Sequence, residues 1–145
     1  MPGLHRVRWT IAAIAAFASS SIAHASDEDF QTAAAAGAWS GCVFEDGYAP
    51  YPIVLTPRGK DFFVSYPGLC TGGHIGPELD APYDAIEIII VNADKCLQGL
   101  PMVYTLDRET LRIDYLAAGT GTYALLTPTS PGITPAACST VEAIS

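Results

Sequence analysis

From Ala38 to Thr127 the apolar residues come in short runs separated by Gly, Pro and Asp clusters, the punctuation of an all-β chain rather than a helical one. Seven runs have strand length: Ala38–Glu45, Tyr51–Thr56, Asp61–Tyr66, Asp84–Val91, Met102–Leu106, Leu111–Leu116 and Tyr123–Thr127. In the sixth, Leu111, Ile113 and Tyr115 alternate with Arg112 and Asp114, so one face is inward and the other wet. The fourth, with Ile88, Ile89, Ile90 and Val91 in succession, is β-branched and resists a helix. Pro57–Lys60 and Asp107–Thr110 are hairpin connections. The stretch 67–82 reads as the longest irregular segment. Short connections between seven strands predict a small antiparallel β-barrel or sandwich.

The ends read differently. Met1–Ala25 has a basic start at His5, Arg6 and Arg8, a short apolar run Trp9–Phe17, and small residues at Ala23 and Ala25, the order of a secretory signal peptide cleaved after Ala25. No cysteine follows the apolar run before Cys42, which argues against a lipid anchor, and no stable membrane anchor is expected. Residues 26–37 are a linker or short helix; they lack an apolar stripe and are expected to lie outside the core and to be dispensable. Residues 38–127 form the β domain. Residues 128–145, rich in Pro and Thr, form a tail tied by Cys138.

Cysteine usage and charge narrow the function. Four cysteines behind a signal peptide predict two disulfides in a periplasmic or secreted protein. Three pairings exist; the favoured one joins Cys70 to Cys96, both at strand ends, and Cys42 to Cys138, which ties the first strand to the tail. Beyond Ala25 five Lys and Arg face fifteen Asp and Glu, a formal charge of −10. That surface repels phosphate backbones, so nucleic acid is not an expected partner. It steers a cationic protein partner, and the chain is expected to be a monomer.

Candidate chemistry is sparse. Cys70 and His74 share the segment Tyr66-Pro-Gly-Leu-Cys-Thr-Gly-Gly-His74, whose spacing suits a nucleophile and its base, but a paired cysteine makes it a structural corner. His74 is the single histidine after Ala25, no metal-binding spacing exists, and no metal or cofactor is expected. The candidate binding rim combines the aromatic-proline segment at Tyr48 and Tyr51 with His74 and the loop carboxylates Glu78, Asp80 and Asp84. These residues suit a non-enzymatic binding module for a cationic protein or envelope component; the alternative is a small hydrolase using His74 or the loop carboxylates.

Trp39-Ser-Gly41, Tyr51–Leu55, Tyr66-Pro67 and Cys70 together resemble a W-x-G … Y-P-x-L-C-x-G pattern of small exported bacterial β domains of unassigned function. In size, compartment and disulfide-stapled character the chain is also distantly similar to the periplasmic inhibitors of C-type lysozyme, small barrels that insert a loop into the enzyme's cleft. Their Ser-Gly-x-x-Tyr loop has its nearest counterpart in Ser40–Phe44, with Phe in place of Tyr, and no inhibitory residue is carried across.

Overall fold

A computed structural model describes residues 25–77, 80–116, 121–132 and 137–138. The helix α1 (Ala25–Ala36) is followed by eight strands: β1 (Ala38–Phe44), β2 (Tyr51–Arg58), β3 (Asp61–Tyr66), β4 (Cys70–Ile75), β5 (Ala85–Val91), β6 (Leu100–Asp107), β7 (Thr110–Tyr115) and β8 (Tyr123–Thr129). Each pairs antiparallel with the next, and β8 returns to β1, so the sheet is a closed barrel. Closure pairs every strand on both sides, except that β5 runs on beyond its short pairing with β6 over Ala85–Glu87, and eight strands give an interior just wide enough for side chains to fill. Trp39, Val43, Ile53, Leu55, Phe62, Val64, Met102, Leu111, Ile113 and Leu126 fill it, each in phase with the inward positions of its strand.

The strand that the punctuation concealed is β4. Tyr66–Leu69 is a tight turn in which Pro67 takes the second position, Gly68 the third with φ +80°, and Leu69 N–H donates to the Tyr66 carbonyl at 2.8 Å. The chain then re-enters the sheet at Cys70 instead of continuing irregularly. Gly72, which reads as a loop signal, is a strand residue because a Cβ there would collide with the Ile88 carbonyl on β5.

Residues 26–37 also depart from expectation. In α1 Phe30, Ala33 and Ala34 are buried, and the Phe30 ring meets Phe62 and Tyr104 edge-on at 5.9 and 4.8 Å. Two hydrogen bonds dock the helix: Trp39 Nε1–H donates to the Ala33 carbonyl (2.9 Å), and Leu106 N–H donates to Asp29 Oδ2 (3.1 Å). One aromatic ring and two small residues suffice because alanines let the helix lie close to the barrel end. The helix is therefore part of the core.

Both disulfides form as expected, Cys42–Cys138 and Cys70–Cys96, and there is no free cysteine. The outward side chains of Ala38, Cys42 and Phe44 on β1 are buried as well, with Cys138 bonded to that face. Pro128, expected to open the tail, lies inside β8 opposite Trp39. The two disulfides are consistent with an oxidising environment. No described helix is long and apolar enough to cross a membrane.

Candidate functional site

Because strands alternate in direction, connections alternate between barrel ends. Residues 45–50, 67–69, 92–99, 116 and 121–122 gather at one end, the mouth; α1 and residues 59–60, 76–77, 80–84 and 108–109 gather at the other. The expected rim is thus divided. Tyr48 and Tyr51 follow β1 at the mouth, whereas Asp80 and Asp84 follow β4 beside the helix. Tyr48 is exposed; Tyr51 is half-buried and its OH donates to Glu45 Oε2 at 2.8 Å. Burial, followed by that hydrogen bond, pushes the Tyr51 phenol well above its ordinary range. Glu78 lies outside the described residues.

His74 is not on a rim. It is 0% exposed, because β4 places it in phase with Cys70 and Gly72 on the barrel's inner face. There it joins a hydrogen-bonded chain across five strands, β3 to β7. Tyr66 OH on β3 donates to Glu87 Oε2 on β5, His74 Nε2 reaches the same oxygen at 2.7 Å, and Tyr66 OH meets Tyr115 OH on β7 at 2.8 Å. His74 Nδ1 lies 2.5 Å from Tyr104 OH on β6. A carboxylate oxygen only accepts, so His74 carries a proton on Nε2, Nδ1 of the neutral ring accepts from Tyr104, and Tyr66, whose proton goes to Glu87, accepts from Tyr115. Burial pushes the phenols of Tyr66, Tyr104 and Tyr115 well above their ordinary range, and for each the Glu87 charge adds to it.

Every polar side chain buried in the described interior has a partner. The cluster is consequently a satisfied network that joins β3 to β7 across the interior, and His74 presents neither nitrogen to solvent. Glu87 is an interior residue that sequence reasoning missed, although its place in phase with Ala85 and Ile89 inside an apolar run is the signal that could have found it. Its partners leave no such signal, because cross-strand register alone sets Tyr66 against it over 21 residues of chain.

Asp84 is also buried; its Oδ2 accepts from Tyr104 N–H at 2.8 Å, and its own N–H donates to the Met102 carbonyl. This carboxylate pins the residues just before β5 to β6 rather than standing free on a rim. Together with Asp80, which is exposed, it lines an open groove of about 1010 Å³ between α1, the β2–β3 turn and residues Gly76, Pro77, Asp80 and Asp84. Phe30, Ala34, Ile75 and Pro77 give the groove apolar walls, and Lys60, Asp61, Asp80 and Gln31 give it polar ones. Asp61 Oδ1 accepts from Gly76 N–H at 3.0 Å, which sets the groove's width at the base of β4. The contribution of α1 to this groove was not legible, since it depends on the helix docking.

Among the described residues no group of His, Cys, Asp and Glu is arranged to hold a metal ion. Comparisons of the chain with protein-family models, with characterised proteins and with solved structures find no match.

Proposed function

We propose that this chain is an exported, non-enzymatic binding module, freed of its signal peptide after Ala25 and working in the periplasm or outside the cell. Its partner is a cationic protein or envelope component, taken in the groove that α1 forms with Lys60, Asp61, Gly76, Pro77, Asp80 and Asp84. The groove's composition carries the reading: exposed Asp80 and half-buried Asp61 face an apolar floor that includes Phe30 and Ile75. A lysine or arginine side chain has the matching chemistry, an apolar stem and a cationic head. The formal charge of −10 beyond Ala25 supplies the long-range attraction that brings such a partner in. The hydrolase alternative draws no support from His74, whose ring is enclosed and engaged at both nitrogens.

The test is affinity capture from envelope extract with the oxidised, exported chain as bait, at low and moderate salt. A basic partner recovered at low salt, with its association slowed about tenfold by Asp80→Lys, is the expected result. Recovery of no partner at either salt, together with hydrolysis of a test substrate by the wild-type chain, overturns it.

A further inference from the structure

Six of the eight exposed large hydrophobic side chains are concentrated on and around β4 and β5: Leu69, Ile75, Ile88, Ile90, Val91 and Leu97. Ile90 is 70% exposed and Val91 53%, unusual for large apolar residues of a strand. The register explains the grouping. Ile75 pairs with Ile86 and Gly73 with Ile88, so the outward positions of the two strands form one surface, and Gly73 leaves a shallow trough beside Ile75. Leu69 precedes Cys70 and Leu97 follows Cys96, so the disulfide gathers both leucines at the mouth end of the same surface. None of the outward residues on β4 and β5, Thr71, Gly73, Ile75, Ile86, Ile88 and Ile90, carries a charge. A contiguous exposed apolar surface of this kind marks an interaction site.

We propose that the occupant is a second copy of this chain, its β4–β5 face packed against the same face across a two-fold axis. Charge selects this partner. A cationic partner finds no carboxylate among the outward residues of β4 and β5, where the one flanking carboxylate, exposed Asp94 at the mouth end, stands beside Lys95, and an anionic lipid surface repels a chain whose formal charge beyond Ala25 is −10. Two like copies repel in every orientation that brings charged surface together; the uncharged face is where they can meet, and a two-fold axis makes one apolar patch complementary to itself. The contact is face packing rather than strand addition. β6 pairs with β5 only over Ala85–Glu87, and beyond that point the Gln98 side chain bonds both Ile89 N–H (3.0 Å) and the Ile89 carbonyl (2.6 Å), occupying the position that an added strand would take. Six side chains fall short of the roughly twenty residues a side of a standard interface, so the dimer is weak, with a dissociation constant on the order of 100 µM. This differs from the monomer expected from composition.

The dimer has a signature opposite to that of the groove. Salt weakens attraction for a cationic partner but screens the repulsion between two acidic copies. Sedimentation velocity of the oxidised, exported protein, from about 1 to about 500 µM and from about 0.05 to about 0.5 M salt, is expected to show a dimer that grows with both concentration and salt. Ile90→Glu and, separately, Ile88→Glu place like charges at the contact and weaken the dimer at least about tenfold, with near-ultraviolet circular dichroism unchanged. A monomer throughout these ranges, or a dimer unaffected by both variants, overturns the proposal. So does flotation of the protein with zwitterionic vesicles that the same variants abolish, which makes lipid the occupant.

Discussion

At the scale of single residues, Glu87 ties three strands together, since one of its oxygens accepts from both Tyr66 and His74. Glu87→Ala strands both donors in a buried interior and is expected to lower unfolding stability by about 3–5 kcal/mol in urea titration. Tyr104→Phe, which removes only the donor to His74 Nδ1, costs about 1–2 kcal/mol by the same measurement. The phenols add a dependence on pH. Tyr51, Tyr66, Tyr104 and Tyr115 are all raised above their value in an unfolded chain, where tyrosine titrates near about 10, so the folded state retains protons that the unfolded state releases. Their contribution is whole below about pH 10 and is lost as pH rises beyond it. Absorbance at the tyrosinate band is therefore expected to show these four of the seven tyrosines ionising together with alkaline unfolding, not before it. Four separate titrations in a still-folded protein would contradict the network.

The helix and β4 show where reading by element succeeds and where it stops. The hairpins β2–β3 and β6–β7 were legible because alternation and turn residues agree, as at Leu111, Ile113 and Tyr115 on either side of Arg112 and Asp114. In β4 they disagree. Gly72 and Gly73 carry no hydrophobic signal and signal a loop, while the physical demand they meet, a neighbouring backbone too near for a side chain at Gly72, belongs to β5 and to the closed sheet. The helix hides for a related reason, since periodicity detects a broad apolar stripe and α1 relies on Phe30 with small alanines. Phe30→Ala is expected to cost about 3–5 kcal/mol, measured by urea unfolding, because it removes a ring wedged between Phe62 and Tyr104. Removal of residues 26–36 uncovers the same barrel end and is expected to leave a protease-sensitive domain; a deletion protein as resistant as the full chain would show that the helix only rests there. Groove binding tracks the helix too, as Gln31 and Phe30 line it.

For the whole molecule the two disulfides are unequal. Cys42–Cys138 closes a loop of 96 residues and Cys70–Cys96 one of 26, so chain-entropy reasoning assigns them about 4.7 and about 3.5 kcal/mol. Replacing each pair with alanine and comparing thermal midpoints is expected to rank them in that order. They also sit at matching places in the barrel. One lies where β8 meets β1, beside Gly41, whose Cβ would collide with the Leu125 carbonyl; the other lies where β4 meets β5, beside Gly72 and the Ile88 carbonyl. Four strands separate the two seams, so the closed sheet consists of two four-stranded halves that meet at glycine-lined corners. The consequence is an order of oxidation during biogenesis. β4 and β5 lie near one another along the chain, whereas β1 must wait for β8, and contacts of such unequal separation form in sequence, local before distant. Acid-quenched samples of the reduced protein refolding in air should accordingly accumulate a one-disulfide species joined at Cys70 and Cys96, and a thiol oxidant that acts before β8 is made will find Cys42 with no correct partner to take.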